Sequence, residues 1–460
     1  IGLYYSHIDW YHKDARYFSR DYWDYDPSRI DSDSDSWRRY VEFERGQIKE
    51  LLTHYGKIDI LWFDISWPFA EGGEFSHPVV EKDTKELIAL MKELQPDLIY
   101  NDRGMGTYGG FYTPEQQVPV AGLPGNWESN ITITNNRGYW YKGEHVSAKS
   151  NQELIRMLID IASKGGNFLM NVGPRPDGEF SQTEYDALAG VGEWMAVNSE
   201  SIYGTRKGQF LQLDWGRSTT QGDSIFLHVY DWPADGILPV PGLLNVVKKA
   251  YLLADSSRTA LGVQRVGEDT LIEVGLNAPD KVASVVVVEL DGEPRINAVY
   301  RQKGSNPVEL GTYFATIESD KARYNFGFAT RKGNFIQDIE STDDQISWDF
   351  VIQSPGEYRV IIKHATQNNQ AGSQYLVKVG EQVLRARVDG TADWEGDILQ
   401  VQRQEMDEGE RHNNLWLFKD FDVGTIKIDT EGQQTISIKP ESIKGDYLMF
   451  LKSVTLTPVR

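Results

Sequence analysis

Short apolar runs alternate with helix-like patterns over the first 205 residues. The apolar runs predict strands at 2–6, 58–64, 97–102, 126–133 and 167–173. Between the first two, residues 37–55 place their apolar side chains near one face, as an amphipathic helix does. Residues 150–153 (Ser-Asn-Gln-Glu) and 181–184 (Ser-Gln-Thr-Glu) are capping boxes, so each is expected to begin a helix. This alternation predicts a parallel sheet, either a closed barrel or a doubly wound sheet.

The closed barrel is favoured because the sequence contains no GxxxxGK(S/T) motif, which binds nucleotides in one class of doubly wound sheet. Five strands are visible, whereas a closed barrel of this type has eight. We therefore expect roughly three further βα units, on the order of 100 residues, upstream of Ile1.

The periodicity changes near residue 205, where short strand-like runs separated by turn residues replace the alternation. Runs of this kind predict antiparallel β-sheets. We therefore predict a multidomain chain, with a (β/α)8-type barrel that lacks its N-terminal strands followed by two β-sandwich domains. The predicted boundaries are 1–205 for the C-terminal part of the barrel, 206–296 for a small antiparallel β-sandwich, 297–310 for a linker and 311–460 for the second sandwich.

Charge and composition narrow the class of ligand. The 68 acidic residues outnumber the 47 basic residues, and the formal net charge of -21 disfavours nucleic acid and anionic membrane surfaces as partners. Aromatic residues make up 12% of the chain, which modestly favours a carbohydrate ligand because sugars bind flat apolar faces. The absence of cysteine excludes disulfides, thiolate metal sites and a cysteine nucleophile. No apolar run approaches the length of a membrane span.

Carboxylates are the remaining candidates for chemistry, because the sequence has no clustered histidine pair and no HExxH motif. Two carboxylates suffice to hydrolyse a glycosidic bond: one attacks or activates water, and the other donates a proton to the leaving oxygen. Four candidates lie at predicted strand ends: Asp64, Asp102, Glu128 and Asp177.

Asp64 and Glu128 are the stronger candidates. Asp64 ends an apolar strand, the position from which barrel enzymes project catalytic side chains, although it could instead cap a loop or pair with a cation. Glu128 follows Trp127, and partial burial would raise its pKa toward that of a general acid; the alternative is a structural glutamate covered by tryptophan. Structural roles are favoured for the other two. Asp102 is next to Arg103 and could form a salt bridge or a cap, and Asp177 lies in a Pro-Asp-Gly turn.

Several short motifs in the first 205 residues resemble those of a known family. Glycoside hydrolase family 29, the α-L-fucosidases, comprises retaining enzymes with a catalytic barrel followed by a β-sandwich. The resemblance covers about residues 1–205 and is carried by GLYYSHIDW at 2–10, LWFD at 61–64, NDR at 101–103, WE at 127–128 and KGGNFLMNVGP at 164–174, in the family's order.

The resemblance implies roles for individual residues. Asp64 matches the nucleophile and Glu128 matches the general acid/base. Trp62 and Arg103 match residues that contact the sugar. Two further residues, Tyr5 and Trp10, are expected to wall the pocket, and Trp67 offers another apolar face for a 6-deoxy sugar. The predicted activity is hydrolysis of terminal α-L-fucosyl linkages through a covalent intermediate, and it needs no cofactor or metal.

Departures from the family pattern keep two alternatives open. Ile65 follows Asp64 where the family often has glycine, residues 136–139 (Asn-Arg-Gly-Tyr) replace a Ser-Trp-Gly-Tyr stretch, and the family's adjacent histidine pair has no match in this chain. One alternative is a degenerate, lectin-like protein that binds glycans without turnover. The other is a retaining glycosidase for a related sugar, such as an α-L-galactoside.

The C-terminal block resembles carbohydrate-binding modules of families 6 and 35. Trp348, the turn at 354–358 and the stretch 390–394 carry this resemblance. Trp394 or Trp416 could stack on a sugar, with burial in the core as the alternative for either. The resemblance also allows a structural Ca²⁺ in this domain. We expect a fucosylated oligosaccharide or polysaccharide as the partner, and a periplasmic or extracellular location of the bacterial type.

Overall fold

The computed structural model describes residues 1–7, 9, 11–15, 28–64, 77–103, 105, 108–135, 140, 141, 143, 146–211, 213–302, 304–328, 331–394, 398 and 417–459. The chain divides into two compact units. The first comprises residues 1–114 and 123–129, and the second comprises residues 115–122 and 130–460. Among the described residues, no helix is long and apolar enough to cross a membrane.

The first unit is built on a parallel sheet with helices between its strands. Its strands are β1 (Gly2–Ser6), β2 (Ile60–Asp64) and β3 (Ile99–Tyr100), in that order across the sheet, and its helices are α1 (Ser28–Ser32), α2 (Ser34–His54) and α3 (Pro78–Leu94). The parallel register pairs Tyr4 with Trp62 and Ser6 with Asp64. The first two strands and the α2 helix lie where the apolar pattern predicts them.

Alternation along β2 separates a core face from a second face. Leu61 and Phe63 are fully buried and belong to a cluster that includes Ile48 and Leu52 of α2. Successive strand residues point to opposite sides of a sheet, so Trp62 and Asp64 face away from this core. The strand therefore presents a half-buried tryptophan and a carboxylate together on one face.

The third strand is shorter than the sequence predicts because a side chain replaces its backbone. The prediction covers 97–102, but β3 contains only Ile99–Tyr100. The Asn101 amide accepts from the backbone N–H of Phe63 and donates to its carbonyl, both at 2.8 Å. These two bonds satisfy the Phe63 backbone groups that a longer β3 would otherwise pair.

The second unit begins with two capped helices and a pair of strands. β4 (Glu128–Thr132), which the unit boundary crosses, pairs with β5 (Asn167–Asn171), and the helices are α4 (Asn151–Ser163) and α5 (Gln182–Asn198). Both predicted capping boxes are confirmed, at Ser150 with Glu153 and at Ser181 with Glu184. Each box satisfies backbone donors that the first turn of a helix leaves unpaired.

Two antiparallel sheets follow. Their strands run in the orders β10-β13-β8-β7-β6 and β11-β12-β9. The bounds are β6 (Arg206–Lys207), β7 (Gly216–Gln221), β8 (Ser224–Val229), β9 (Ile237–Val240), β10 (Val247–Leu252), β11 (Gly262–Val266), β12 (Asp269–Glu273) and β13 (Ser284–Leu290).

The apolar run SVVVVEL of β13 is explained by burial on both of its faces. Val286 and Val288 pack in the core shared by the two sheets, whereas Val285 and Val287 pack in a cluster with residues of α4 and α5. A strand buried on both sides carries a continuous apolar run instead of alternation.

The C-terminal part is a sandwich of two further sheets. They have the orders β14-β19-β24-β21-β22, with β16 on β19, and β17-β18-β25-β20-β23, with β15 on β25. The bounds are β14 (Tyr300–Arg301), β15 (Val308–Gly311), β16 (Thr316–Glu318), β17 (Arg323–Phe328), β18 (Arg331–Gln337), β19 (Gln345–Ile352), β20 (Gly356–Ala365), β21 (Gln374–Val379), β22 (Gln382–Arg387), β23 (Lys419–Ile428), β24 (Gly432–Ser442) and β25 (Phe450–Pro458). Trp348 is buried at the centre and donates to the Gly311 carbonyl at 2.9 Å.

The predicted linker at 297–310 contains ordered strand structure. It holds β14 and most of β15, which pair with β19 and β25 of the C-terminal sandwich. Tyr300, Val308 and Leu310 are buried there. These apolar residues anchor the segment to the sandwich, while the domain boundaries themselves stay predictions.

Candidate active site

Asp64 lies at the C-terminal end of β2 with a donor on each carboxylate oxygen. Arg103 Nη1 donates to Asp64 Oδ1 at 2.6 Å, and Tyr4 Oη donates to Oδ2. The Asp64 side chain is 25% exposed and that of Arg103 is 13% exposed, so the pair is sheltered but reachable. Charge-assisted hydrogen bonds of this kind stabilise a carboxylate anion and fix its orientation.

Tyr4 is brought to the site by strand register. It lies opposite Trp62 in the β1–β2 ladder, and the two rings stack with centroids 5.7 Å apart and planes 15° apart. Burial and the neighbouring Asp64 carboxylate raise the pKa of Tyr4, so its hydroxyl remains a donor. Sequence reasoning did not select Tyr4, although aligning β1 with β2 in parallel would have placed it beside Trp62.

Arg103 touches both the carboxylate and the aromatic wall. Its guanidinium lies over the Trp62 ring, 4.7 Å from the centroid, and its Nε donates to Thr113 Oγ1 at 3.1 Å. A cation above an aromatic face gains electrostatic stabilisation, more so where water is partly excluded. The structure therefore brings Arg103, Trp62 and Asp64 together, while their roles as sugar contacts and nucleophile stay predictions.

Glu128 begins β4 and is tied to the same tryptophan. Trp62 Nε1 donates to Glu128 Oε1 at 3.0 Å. Burial raises the pKa of the Glu128 carboxyl, and the hydrogen bond from Trp62 partly opposes that shift. The sequence-based expectation of a raised pKa is confirmed. The tryptophan in contact is Trp62, however, and Trp127 is 1% exposed and belongs to the core.

The two carboxylates have contrasting environments. Among the described residues, Asp64 accepts from a cation and from a hydroxyl, whereas Glu128 accepts from one neutral donor and burial raises its pKa. Pairs of carboxyl groups in environments that differ in this way commonly divide into an ionised nucleophile or base and a protonated acid. The arrangement can therefore perform acid-assisted displacement on a bond placed between the two groups.

Tyr5 is not brought to this cluster. Its hydroxyl donates to Gln47 Oε1 of α2 at 2.8 Å, and its ring meets the edges of Phe63 and His7. It follows Tyr4 on the strand and therefore points to the opposite face, toward the helices. The structure thus places Tyr5 on the face of β1 opposite Tyr4, and its role as a pocket wall stays a prediction. Trp10 and Trp67 lie outside the described residues.

The two weaker acidic candidates hold local structure. Asp102 Oδ1 accepts from the Thr113 backbone N–H at 3.1 Å and from its hydroxyl at 2.8 Å. Burial raises the pKa of Asp102 despite these bonds. Asp177 pairs with Arg175 at 2.8 Å and accepts from the backbone N–H of Glu179 at 3.2 Å, as expected of a turn residue.

The aromatic candidates of the C-terminal sandwich have mixed outcomes. Trp394 is half-buried, and its ring lies 6.2 Å from that of Phe450. Sugar stacking on Trp394 stays a prediction, and Trp416 lies outside the described residues. In the part of the chain that the structure describes, no group of three or more His, Cys, Asp or Glu side chains could hold a metal ion. The structural Ca²⁺ also stays a prediction.

Comparisons with known proteins agree on one family. The family model described as alpha-L-fucosidase matches residues 1–200. The structure is similar to alpha-L-fucosidase isoenzyme 1 from Paenibacillus thiaminolyticus, with 31% identity over 63% of this chain and 71% of that chain and a TM-score of 0.53. It also resembles the alpha-L-fucosidase from Vibrio sp. strain EJY3, with 22% identity over 99% of this chain and 76% of that chain and a TM-score of 0.64.

The second likeness, which extends over nearly the whole chain, confirms the predicted fold class, a barrel-type domain followed by β-sandwich domains. Among curated proteins, plasma alpha-L-fucosidase of Homo sapiens is 28% identical over 255 residues, which cover 52% of this chain and 50% of that protein. The chain spans about half the length of the curated relatives it matches.

Proposed function

This chain belongs to the α-L-fucosidase family, and on that premise we propose that it is a retaining α-L-fucosidase acting on terminal α-L-fucosyl linkages of glycans. The observation that carries the proposal is the bridge made by Trp62. Its ring lies on the same strand face as Asp64, and its Nε1 holds Glu128. One aromatic residue thereby joins a cation-paired carboxylate to a carboxyl group with a raised pKa.

The first chemical step uses the two groups in complementary roles. An Asp64 oxygen attacks the anomeric carbon, the glycosidic bond breaks, and Glu128 gives its proton to the departing oxygen. This forms a β-linked fucosyl ester on Asp64 and releases the aglycone alcohol. Arg103 and Tyr4 hold the attacking carboxylate in place before the reaction.

The second step returns the enzyme to its starting state. Glu128, now ionised, accepts a proton from water, and the resulting hydroxide equivalent attacks the anomeric carbon of the fucosyl ester. The ester bond breaks, Asp64 is freed, and the sugar leaves as α-L-fucose. Two displacements at one carbon give net retention of configuration.

The aromatic faces beside the carboxylates suit a deoxy sugar. Trp62 and Tyr4 form a stacked pair with exposed ring surface on the same face of the sheet as Asp64. Flat apolar rings of this kind bind the methyl group and the C–H face of a 6-deoxyhexose. The formal net charge of -21 is compatible with a neutral glycan substrate.

We extend the proposal to the partner, the location and the cofactor requirement. The substrate class is a fucosylated oligosaccharide or polysaccharide, and the reaction proceeds without a metal or an organic cofactor because both proton transfer and nucleophilic attack are assigned to carboxyl groups. Similarity to a plasma α-L-fucosidase supports a periplasmic or extracellular location.

The stereochemical course of hydrolysis tests the proposal. We expect the chain to hydrolyse an aryl α-L-fucoside and to release α-L-fucose first, as followed by proton NMR before the anomers equilibrate. Initial release of the β anomer would contradict retention. Binding of fucose without turnover would favour the lectin-like alternative, and faster hydrolysis of the matching aryl α-L-galactoside would overturn the sugar assignment.

Replacing Trp62 with phenylalanine is expected to move the alkaline limb of the pH profile of kcat/KM to higher pH. The substitution keeps an aromatic face but removes the Nε1 donor to Glu128. That hydrogen bond favours the ionised carboxylate and lowers its pKa, so its loss leaves the raising effect of burial unopposed. Profiles of wild type and Trp62→Phe measured with one aryl fucoside decide the point, and a limb that moves to lower pH would contradict it.

A further inference from the structure

A short segment after β3 lies between the two catalytic carboxylates along the sheet. Residue Phe111 bridges Asn101 in parallel, and Tyr112 bridges Trp127 in parallel. The Phe111 carbonyl accepts from the Asp102 N–H at 2.9 Å, and the Tyr112 carbonyl accepts from the Glu128 N–H at 2.9 Å. The backbone of 111–113 is therefore bonded to the stretch that carries Arg103 on one side and to the start of β4 on the other.

The close approach of this segment to Asp102 depends on a glycine. A Cβ added to Gly109 would lie 2.5 Å from the Asp102 Cα and 2.7 Å from its backbone nitrogen. Gly110 follows and donates its N–H to the Tyr100 carbonyl at 2.8 Å. These contacts fix the path of the chain so that Thr113 arrives beside both Asp102 and Arg103.

Thr113 is buried, with 4% exposure. Its hydroxyl makes two hydrogen bonds, and the chemistry of the two partners determines which one donates and which one accepts. Oγ1 lies 2.8 Å from Asp102 Oδ1 and 3.1 Å from Arg103 Nε. The guanidinium can only donate, so the hydroxyl accepts from Arg103 and gives its own hydrogen to Asp102. The Thr113 carbonyl also accepts from Arg103 Nη2 at 3.4 Å.

We propose that Thr113, oriented by Asp102, is a positioning residue that holds the Arg103 guanidinium on Oδ1 of the Asp64 carboxylate. The inference rests on the proposed fucosidase function. Asp102 sets the direction of the hydroxyl, the hydroxyl fixes Arg103 Nε, and the opposite end of the same planar group then meets Asp64 at Nη1. Because the Thr113 segment also bonds the backbone of Glu128, it couples the positions of the nucleophile and the acid.

The planarity of arginine makes this mechanism effective. Fixing Nε and Nη2 at Thr113 determines the plane and the direction of Nη1, so a small loss of order at Thr113 becomes a displacement at Asp64. Misplacement of a reacting group by about 1 Å costs on the order of 100-fold in rate. We expect Thr113→Val to lower kcat by roughly 10- to 100-fold, with a smaller change in KM.

A pair of matched variants and a thermodynamic cycle test the proposal. Thr113→Ser keeps the hydroxyl and is expected to retain near-wild-type kcat, whereas Thr113→Val, of nearly the same shape, is not. In an Arg103→Lys background, Thr113→Val should cause little further loss of kcat, because the guanidinium that the Thr113 hydroxyl holds is already absent. Equal kcat values for the serine and valine variants would overturn the proposal, as would losses that simply multiply in the double variant.

A second readout separates this inference from the proposed function. The Nε–Hε signal of Arg103 in the nitrogen-15 spectrum, assigned with Arg103→Lys, should exchange slowly in wild type and Thr113→Ser and rapidly in Thr113→Val. An inactive wild type with this pattern would refute the fucosidase and leave the Thr113 contact intact. Unchanged exchange in Thr113→Val would overturn the inference whatever the activity. If the valine variant does not fold, Asp102→Asn, expected to fall between the two Thr113 variants, replaces it in both measurements.

Discussion

Replacing Asp64 with alanine is expected to reduce kcat for an aryl α-L-fucoside by about 10⁴- to 10⁶-fold, the scale of the losses found when single members of a covalent catalytic unit are removed. Without this carboxylate no fucosyl ester can form. Its described neighbours, Arg103 and Tyr4, act as hydrogen-bond donors and cannot take its place in activating water. Arg103 and Tyr4 would face the vacated position. Steady-state kinetics with enzyme of verified fold measures the loss.

Azide should restore part of this activity. A small anion fits the space left by the carboxylate and is attracted by the Arg103 guanidinium and the Tyr4 hydroxyl. Its attack at the anomeric carbon would yield β-L-fucosyl azide, because a single displacement inverts the configuration. Formation of the α-azide, or activity of Asp64→Ala above a tenth of wild type, would contradict the assignment of Asp64 as nucleophile.

Asp59→Asn provides the matched control for Asp64. Asp59 immediately precedes the same strand, at its other end, where its side chain is 53% exposed and pairs with Lys57. Exposed ion pairs of this kind contribute little to stability. We expect Asp59→Asn to leave kcat unchanged, which ties the loss in Asp64→Ala to the carboxylate at the C-terminal end of β2.

Local patterns predicted the elements well, because their causes are local. The capping boxes at Ser150 and Ser181 depend on contacts within four residues, and both helices begin there. The strand predicted at 58–64 is marked by a short, nearly continuous apolar run, which differs from the spaced apolar positions of an amphipathic helix. The predicted third strand was too long because the Asn101 side chain bonds the Phe63 backbone in place of strand backbone. The hydrophobic pattern does not predict the conformation of this side chain.

The face of a side chain was harder to predict than its strand. In GLYYS, apolar and aromatic residues are consecutive, so the run does not show whether Tyr4 or Tyr5 faces the site. Only the pairing of Tyr4 with Trp62 decides it. Likewise Trp127 adjoins Glu128 in sequence, yet the tryptophan that bonds this carboxyl is Trp62, which is 66 positions away.

The least predictable part of the site is the Thr113 segment. Thr113 is ten residues from Arg103, and its contact arises because the preceding residues, 111 and 112, extend the sheet. The paired Gly109 and Gly110 are the one local sign that the backbone makes a close approach there. A single sequence does not reveal which partner a glycine approaches, so the network could be found only in three dimensions.

Glu128→Gln is expected to lower kcat/KM by about 10³- to 10⁴-fold for a fucoside with a poor leaving group, since general acid catalysis contributes on that scale. The alkoxide of an alkyl fucoside cannot leave without a proton, whereas the dinitrophenolate of a dinitrophenyl fucoside can. With the activated substrate the first step should proceed at close to its normal rate and the second should stall, because no base remains to activate water. Mass spectrometry of the quenched enzyme should then show an accumulated fucosyl adduct.

The pH dependence of the same variant tests the assignment of Glu128 as the acid. Burial raises the pKa of Glu128, so the protonated form persists above the ordinary carboxyl range and activity falls only as pH rises through this higher value. Glutamine has no proton to lose, and the alkaline limb of kcat/KM should disappear. Glu81→Gln, which removes a surface glutamate paired with Lys85, is the control and should keep the limb. An alkaline limb that survives in Glu128→Gln, or equal losses for alkyl and dinitrophenyl fucosides, would assign the proton transfer to another group.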